Sequence, residues 1–284
     1  MDRIRVDLSG PQQTMLATLY AKALDADLPN PVLGDRYAKE AVERIEYDWT
    51  KTTITARKSA SVTTRTAHFD IWARQFLDAQ PSAVVLHMGC GLDGRYFRLQ
   101  PGPLVEWYDI DYPGVAELRT RLYPATEHCH VVAASVTDPA WLTEIPNGRP
   151  ALMIAEGLTM YLCEQDGIAL LRRVIDHFDR GELQFDAFNR MGIKSQWMNA
   201  VVRRSGSKLS WGIDGPGEIL AAVPGTRPLS WVRWFESDTF ERLPRAYHVM
   251  GRAMSLVPAM ANMAQYHRYA FGPPDREVSS RGSC

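Results

Sequence analysis

The sequence predicts an α/β fold in which a mostly parallel sheet has helices on both faces and follows an N-terminal helical cap. From residue 81 onward, short apolar runs alternate with segments of helical spacing, as in parallel strands joined by crossover helices. The chain has 284 residues, 45% of them hydrophobic, which is enough to bury a sizeable core. We therefore predict a cap over residues 1–80, the core of the fold over 81–272 and a flexible tail over 273–284.

The first eighty residues have the periodicity of helices. Apolar side chains recur at helical spacing within residues 12–24, 37–44 and 65–77. Prolines at positions 29 and 31 separate the first two segments, because proline disfavours helix at its own position and at the residue before it. Three helices are therefore expected ahead of the sheet.

Five apolar runs in the middle of the chain are predicted to be strands. The run at 83–88 ends in glycines and has the continuous hydrophobicity of a strand buried on both faces. The other predicted strands are 104–110, 130–134, 151–155 and 182–188, with helices at 113–122 and 165–178. Beyond Asn189 the pattern weakens, and it predicts a helix over 191–204, a helix at the end of 210–222, and strands over 231–235 and 265–271.

The composition excludes several classes of protein. The 32 Lys and Arg balance 33 Asp and Glu, so the basic excess of a nucleic-acid-binding surface is missing. No apolar run approaches the roughly 18 residues of a membrane span, and no hydrophobic signal core follows the N-terminus. Four scattered cysteines without a CxxC pair indicate neither a disulfide framework nor a metal site. We therefore expect a cytoplasmic protein that binds no nucleic acid, membrane or metal.

A glycine-rich turn follows the strand predicted at 83–88. Gly89 and Gly91 stand where an α/β sheet lets a ligand approach the backbone closely. Asp109 and Asp111 end the next predicted strand, where a carboxylate can accept hydrogen bonds from the ribose hydroxyls of an adenosine. The combination predicts a cofactor that contains adenosine.

Two acidic residues bear on which adenosine cofactor this is. Residues 89–94 nominally meet the GxGxxG spacing that places a pyrophosphate at a helix N-terminus. Asp93, however, would put a carboxylate beside that pyrophosphate, whereas an acid is compatible with the ammonium group of a methionine. Glu156 directly follows five apolar residues at a predicted strand end, where ligands bind in such sheets. S-adenosylmethionine is therefore favoured over a nicotinamide dinucleotide.

Four segments of the chain together resemble one family of enzymes. They are VVLHMGCGLDGRYFRL at 84–99, WYDIDYP at 107–113, SVTDPAW at 135–141 and IAEGLTMYL at 154–162. In this order and at these distances they are similar to the leucine carboxyl methyltransferase family, and most of all to its bacterial branch of tetracenomycin-type polyketide O-methyltransferases. The resemblance extends from Thr14 to Asn189 and implies a Rossmann-like class I methyltransferase core that uses S-adenosylmethionine.

The resemblance also implies roles for individual residues. Arg65 matches the arginine that pairs with the methionine carboxylate, a bidentate task that suits a guanidinium. Glu156 matches the acid that faces the methionine ammonium, and Asp111 the acid that binds the ribose hydroxyls. The other cofactor positions are the turn glycines, an acid in the place of a family glutamate, and the pair that brackets the adenine: Gly89, Gly91, Asp109, Ser135 and Val136.

Two positions depart from the family pattern. Ser135 and Val136 stand where the eukaryotic branch has an Asp-Leu pair, so Asp138 is expected to share the contact with the adenine amino group. Gly94 replaces a more usual hydroxyl residue, which leaves the turn less constrained. Cofactor binding is expected in spite of both changes.

No general base is recognisable in the sequence, and this favours a carboxylate as the methyl acceptor. A carboxylate, with a pKa of about 4, is ionised at pH 7, whereas a phenol, with a pKa of about 10, benefits from a base. The histidines have plainer interpretations as packed or surface residues: His68, His87, His177 and His248. We predict methylation of a small natural-product acid such as a polyketide, with a peptide C-terminus as the second candidate.

Two other classes of function stay open. A catalytically silent protein would bind S-adenosylmethionine without transferring its methyl group, and a nicotinamide-dependent reductase would bind NADH. Asp93 and the missing Ser/Tyr/Lys pattern argue against the reductase. The sequence indicates no oligomeric state.

The substrate pocket is predicted to lie between the edge of the sheet and the N-terminal cap. Large side chains with a polar end suit the walls of a pocket for an aromatic guest. The residues expected to form these walls are Tyr20, Tyr161, Asn189, Trp197 and Trp211.

Overall fold

Two sheets organise the protein, and the larger one has seven strands. The computed structural model describes residues 3–6, 11–198, 202–203 and 206–273. A small parallel sheet pairs β1 (Ile4–Arg5) with β2 (Ile45–Glu46). The strands of the central sheet are β3 (Val84–Met88), β4 (Glu106–Asp111), β5 (Cys129–Ala133), β6 (Ala151–Ala155), β7 (Gly181–Phe188), β8 (Thr226–Arg233) and β9 (Ala264–Phe271).

The order of the central sheet is β5-β4-β3-β6-β7-β9-β8. Strands β3 to β7 are parallel, and β9 runs antiparallel between β7 and β8. The chain order reverses between β3 and β6, which are neighbours in the sheet. Open α/β sheets bind their ligands at the carboxyl ends of the strands beside such a reversal.

Helices precede the central sheet and cover its faces. Within the described residues they are α1 (Pro11–Ala26), α2 (Arg36–Arg44), α3 (Ala60–Ala79), α4 (Arg95–Leu99), α5 (Pro113–Leu122), α6 (Glu164–His177), α7 (Arg190–Lys194), α8 (Pro216–Ala222), α9 (Arg245–Ser255) and α10 (Pro258–Ala261). Short 3-10 turns lie at Trp49–Thr52, Ala140–Glu144, Thr159–Tyr161, Gln196–Met198, Trp234–Glu236 and Phe240–Arg242.

The central strands are buried on both faces. Every residue of β3 and β6 is buried, which explains why their sequences are apolar runs without alternation. On one face, Phe69 and Trp72 of α3 share a core with Val85 and Ile154. On the other, α6 packs through Leu170 and its neighbours. Helix α3 belongs to the predicted cap over residues 1–80, yet it packs on the sheet itself. The division of the chain into a cap and a core at residue 80 therefore remains a prediction.

The first two helices lie over the turn that follows β3. Leu16 and Leu19 of α1 share a core with Ala38 of α2, with Leu92 of the turn and with Leu118 of α5. The Asp35 carboxylate caps α2 by accepting from two backbone N–H groups, and its second oxygen pairs with Arg98 at 2.6 Å. Apolar packing and buried charge thus fix this region over the glycine turn.

The predicted α/β class and mostly parallel sheet are confirmed. The strand predicted at 151–155 and the helix predicted at 113–122 have the bounds found in β6 and α5. For the other strands of the central sheet before residue 189, the predicted ends differ from the observed ends by one or two residues. Strand ends depend on pairing with neighbouring strands, and the periodicity of one segment contains no information on that pairing.

Two predictions for the last third of the chain were wrong or incomplete, and one helix was missed. The strand predicted at 231–235 begins earlier, at Thr226, and ends at Arg233, where a 3-10 turn starts. The helix predicted at 191–204 ends at Lys194 and is followed by a second short turn, while 199–201 and 204–205 lie outside the described residues. Helix α9 was not predicted. Of the predicted tail, 274–284 also lies outside the described residues.

Neither a membrane-spanning helix nor a cluster of metal ligands occurs among the described residues. In the described ranges, no helix combines the length and the apolar character needed to cross a membrane. No group of three or more His, Cys, Asp or Glu residues that could hold a metal ion was found among the same residues.

Candidate active site

A cavity of about 800 Å³ opens at the carboxyl ends of the parallel strands. Its floor is formed by the turns that follow β3, β4 and β6 and by the last residues of β7. Helix α1 covers one side through Met15, Leu19 and Lys22, and the start of α3 covers another. The cavity therefore lies at the reversal of strand order, between the sheet edge and the N-terminal helices.

The turn after β3 requires glycine at two positions. Gly89 and Gly91 have φ of +57° and +53°, which side chains other than glycine rarely adopt. A Cβ on Gly91 would also lie 3.0 Å from the Cγ atom of Met15 on α1. Both glycines line the cavity, so a ligand can approach the backbone there.

Asp111, at the end of β4, holds this turn in place. Its Oδ2 accepts from the Gly91 backbone N–H at 2.8 Å, and its Oδ1 accepts from the Tyr112 N–H at 2.8 Å. Burial raises the pKa of Asp111, and these two hydrogen bonds oppose that rise. The carboxylate lines the cavity and keeps further acceptor sites on both oxygens.

Asp109 lies two residues earlier on β4 but does not line the cavity. Its side chain is 1% exposed and accepts from the Trp107 indole at 3.0 Å, from His87 at 2.8 Å and from Arg119. Burial opposes its charged form, but Arg119 and the His87 hydrogen bond outweigh burial and hold the pKa of Asp109 at about 2. The structure thus places Asp109 in the packing beneath the turn.

Arg65 and Glu156 lie side by side at the opposite end of the cavity floor. Arg65 Nε is 3.1 Å from Glu156 Oε1, which also accepts from the Thr66 hydroxyl at 2.7 Å. Glu156 Oε2 accepts from Arg95. Burial alone would raise the pKa of Glu156, but Arg95 and the other nearby cations lower it. Glu156 is therefore an ionised carboxylate beside a guanidinium.

Asp186 on β7 was not predicted from the sequence, and it anchors Arg65. Its Oδ2 pairs with Arg65 Nη1 at 2.9 Å, and its Oδ1 accepts from the Gly157 backbone N–H at 2.6 Å. Burial raises the pKa of Asp186 above its usual value, and Arg65 counteracts this. No local pattern indicated Asp186, because it lies inside a strand and not in the turn after one.

Lys22 on α1 was also missed, and it changes the interpretation of Asp93. Lys22 Nζ is 2.9 Å from Asp93 Oδ2, and Arg98 Nη1 is 3.0 Å from Asp93 Oδ1. Burial would raise the pKa of Asp93, but Arg98 and Lys22 hold it well below its usual range. Asp93 lines the cavity with its charge already balanced by protein cations.

The two residues predicted to bracket the adenine, Ser135 and Val136, differ in their position relative to the cavity. Val136 is buried and lines the cavity, whereas the Ser135 hydroxyl bonds that of Thr137 at 2.8 Å and is not among the lining residues. Asp138 is exposed, and its carboxylate accepts from the Ala140 backbone N–H at 2.9 Å. Only the apolar member of the pair, Val136, therefore lines the cavity.

Of the five residues predicted to form the substrate walls, Tyr161 lines the cavity. Tyr20 stacks on Trp49 with ring centroids 5.2 Å apart, and Asn189 caps α7. Trp197 is 69% exposed, and Trp211 is buried in the core that includes α6. These four lie outside the lining.

An aromatic wall next to the C-terminal end of β8 and the N-terminal end of β9 consists of residues that the sequence did not indicate. Trp234, Phe235 and Tyr247 line it together with Met254 and Met263. Trp234 donates from its indole to the Thr64 hydroxyl at 2.9 Å, which joins this wall to α3. The wrongly placed strand at 231–235 and the missed α9 explain why this wall was not predicted.

His87 is the one histidine among the lining residues described. It is 2% exposed, its Nδ1 bonds Asp109, and burial lowers its pKa. The other histidines considered as bases lie elsewhere: His68 packs on Trp72, His177 bonds a backbone carbonyl of Ile145, and His248 bonds that of Leu243.

Known proteins resemble this chain over most of its length. The family model described as leucine carboxyl methyltransferase matches residues 14–175. The tetracenomycin polyketide synthesis O-methyltransferase TcmP of Streptomyces glaucescens is 40% identical over 266 residues, which is 94% of this chain and 98% of TcmP. The S-adenosyl-L-methionine-dependent methyltransferase dpfgK of Gibberella zeae is 36% identical over 80% of this chain and 83% of its own length.

Solved structures agree on the fold. A crystal structure of a putative methyltransferase from Thermobifida fusca superimposes with a TM-score of 0.59 at 17% identity, over 89% of this chain and 94% of that one. At this identity the likeness concerns the fold alone. The family match and the two relatives carry the assignment of activity, and the protein is an S-adenosylmethionine-dependent O-methyltransferase. The chain belongs to the leucine carboxyl methyltransferase family.

Proposed function

We propose that this enzyme methylates a carboxylate of a small natural-product acid of the polyketide type. The observation that carries the proposal is the state of the ionisable groups around the cavity. In the described lining, His87 and all four carboxylates are held by protein partners: Asp93, Asp111, Glu156 and Asp186. No histidine or carboxylate of the described lining is therefore placed as a free general base, and a carboxylate acceptor needs none because it is ionised at neutral pH.

The residues of the floor fit S-adenosylmethionine. A methionine end carries an ammonium and a carboxylate on one carbon, and Glu156 and Arg65 offer the complementary charges side by side, 3.1 Å apart. Asp111 has acceptor sites left for the ribose hydroxyls, and Val136 offers an apolar contact for the adenine. We propose these four residues, with the backbone of Gly89 and Gly91, as the cofactor site.

Three other predicted or observed residues receive supporting roles in this proposal. Asp109 acts through Arg119, which also donates to the carbonyl oxygens of Gly91 and Asp93 at 2.9 and 2.8 Å. Asp109 therefore positions the turn rather than touching the ribose. Asp186 positions Arg65, and Ser135 shapes the loop through its hydrogen bond to Thr137.

Catalysis in this scheme consists mainly of alignment and exclusion of water. The cofactor supplies an electrophilic methyl group on a sulfonium sulfur. Arg65, Glu156 and Asp111 fix the cofactor from both ends, and the aromatic wall holds the acid in line with it. Helix α1 and the aromatic wall reduce the access of water to the reacting groups. No protein group has to move a proton.

The support for a polyketide-type acid comes from TcmP and from the chemistry of the wall. TcmP is named for tetracenomycin polyketide synthesis and aligns over almost the whole of both chains. Trp234, Phe235 and Tyr247 offer flat apolar faces to a fused-ring guest. We extend this substrate class to the present enzyme on these two grounds.

Product analysis with a labelled methyl donor tests the proposal. The enzyme is incubated with aromatic acids that carry both a carboxyl and a phenol group, and the product is treated with base. A methyl ester releases volatile labelled methanol, which is the expected result. A label that resists base would mean an ether or amine product and would overturn the proposed acceptor.

A further inference from the structure

The charged residues that line the floor of the cavity differ from those that line its opening. All four carboxylates among its described lining residues belong to the floor, at the ends of β4, β6 and β7 and in the turn after β3. Three cations, Arg57, Lys58 and Lys208, line the remainder of the cavity, where the lining contains no acidic residue. The cavity therefore has a floor with both signs of charge and an opening with positive charge alone.

Two of these cations are in the turn that leads into α3. The side chains of Arg57 and Lys58 are exposed, so they lie where the cavity opens to solvent. Lys58 Nζ donates to the Thr53 carbonyl at 3.2 Å, which keeps its ammonium at this turn. Within the described part of the chain, no carboxylate pairs with Arg57, Lys58 or Lys208. Each cation is available to an anion from outside.

The same turn is joined to the aromatic wall. The Tyr247 hydroxyl donates to the backbone carbonyl of Arg57, so the ring contacts the turn that carries both cations. The rings of Trp234 and Phe235 are 5.0 Å apart, and the Trp234 indole is fixed to α3 by its hydrogen bond to Thr64. A flat guest on this wall would have its edge beside positive charge.

We propose that Arg57 and Lys58, assisted by Lys208, form an anion clamp that selects an aryl carboxylate and releases its methyl ester. This inference rests on the proposed carboxyl methylation and names the residues that recognise the acid. Methylation removes the negative charge of the carboxylate, so the product loses the attraction that held the substrate. The clamp would therefore favour binding of the acid over binding of the ester it becomes.

Equilibrium binding of matched acids and esters tests the clamp without measuring turnover. The full chain is saturated with S-adenosylhomocysteine, and calorimetry compares one- to four-ring aryl carboxylates, such as anthracene-2-carboxylate, with their methyl esters. Because exposed charge pairs are each worth up to about a fivefold change in affinity, we expect the acid to bind about tenfold more tightly than the ester.

The variants R57M and K58M are each expected to lower this acid-to-ester ratio about threefold, since the two cations together account for most of the tenfold preference. The matched control is R252M, which removes an exposed cation from α9 that does not line the cavity and should leave the ratio unchanged. Tyr247 bonds the backbone of Arg57, so R57M keeps that contact. Both ligands are measured on one preparation, so any unfolded fraction cancels in the ratio.

Three outcomes would overturn the clamp. The first is equal affinity for acid and ester in the unmodified enzyme, and the second is an acid-to-ester ratio that neither R57M nor K58M changes. The third is that no acid of the series binds at about 1 mM, a concentration that detects even weak complexes. Failure of the proposed function is distinguishable, since a base-stable product would reject carboxyl methylation whatever the ratio. An ester product with an unchanged ratio would reject the clamp alone.

Discussion

Asp186 pairs with Arg65 through Oδ2 at 2.9 Å while its other oxygen accepts from the Gly157 backbone N–H. The carboxylate thus ties a side chain of α3 to the loop after β6, although Asp186 itself belongs to β7. A Cβ on Gly157 would lie 3.2 Å from Arg65 Nη2, so this glycine lets the guanidinium approach the loop. The position of Arg65 is therefore set by residues from three elements.

The variant D186N is expected to weaken cofactor binding while preserving the shape of the site. The amide keeps an acceptor for one partner but removes the charge that holds Arg65, whose remaining buried partner is Glu156. Charge-assisted hydrogen bonds contribute about 1.5–3 kcal/mol, so we expect affinity for S-adenosylhomocysteine to fall by about ten- to a hundredfold. Calorimetry measures this directly.

The matched control for D186N is D176N on α6, an exposed residue that does not line the cavity. It changes the net charge by the same amount and should leave the affinity as it is. Unchanged affinity in D186N itself would mean that Arg65 keeps its position without Asp186.

Substitutions of the two acids of β4 are expected to affect different properties, cofactor binding for Asp111 and folding stability for Asp109. D111N should weaken cofactor binding by roughly tenfold or more, because the amide is a poorer acceptor for ribose hydroxyls. Its stability should change little, since burial already disfavours the charged form of Asp111. D109N should instead lower the free energy of unfolding by about 3 kcal/mol, because Arg119 loses its buried counter-charge.

Urea denaturation and calorimetry on both variants give the two readouts. Folded D109N should lose less affinity for the cofactor than D111N, because Asp109 acts on the turn only through Arg119. A large loss of affinity in D109N without a loss of stability would return Asp109 to the cofactor site.

Local sequence patterns predicted the parts of the site that follow a strand directly. Gly89 and Glu156 each follow an apolar strand, Asp111 is the last residue of β4, and strand ends meet at one edge of a parallel sheet. The same pattern could not separate Asp109 from Asp111, which are two residues apart on β4. What separates them is Arg119 on α5, and its approach depends on tertiary packing.

The remaining cavity residues depend on contacts between distant segments. Lys22 and Asp93 are brought together by the packing of α1 on the turn, and Asp186 has its role through Arg65. The aromatic wall comes from the 3-10 turn at Trp234–Glu236 and from α9, neither of which has a strong periodic signal. Periodicity reports a repeating local pattern and contains no information on such partners.

His68 is expected to make stability depend on pH, and H68F should remove that dependence. The ring is buried between Trp72 and Tyr266, and neither nitrogen has a hydrogen-bond partner among the described residues. Burial lowers the pKa of His68 to about 4. Below pH 6.5 the His68 ring of the unfolded chain binds a proton, whereas the buried ring of the folded chain stays neutral down to about pH 4. The free energy of unfolding therefore falls by up to about 1.4 kcal/mol per pH unit over this range.

In H68F the fall in unfolding free energy between pH 6.5 and pH 4 should be smaller by this contribution. At pH 7 the variant should be as stable as the unmodified enzyme or more so, because two unsatisfied buried nitrogens are removed. Urea titrations at several pH values measure both effects. An equally steep fall in H68F would show that other groups cause it.

A last pair of glycine variants separates the effect of backbone strain on stability from the effect of the turn after β3 on cofactor binding. G91A places a side chain at φ +53° and within 3.0 Å of Met15 Cγ, whereas G206A places one at φ +65° with nothing within 4 Å. Both should lose about 1–2 kcal/mol of stability from the left-handed backbone. Only G91A should also weaken cofactor binding, by about tenfold, because the turn and α1 must move apart at the site. Thermal unfolding and calorimetry on the pair measure the two effects, and equal affinity in G91A and G206A would contradict a role for this turn in holding the cofactor.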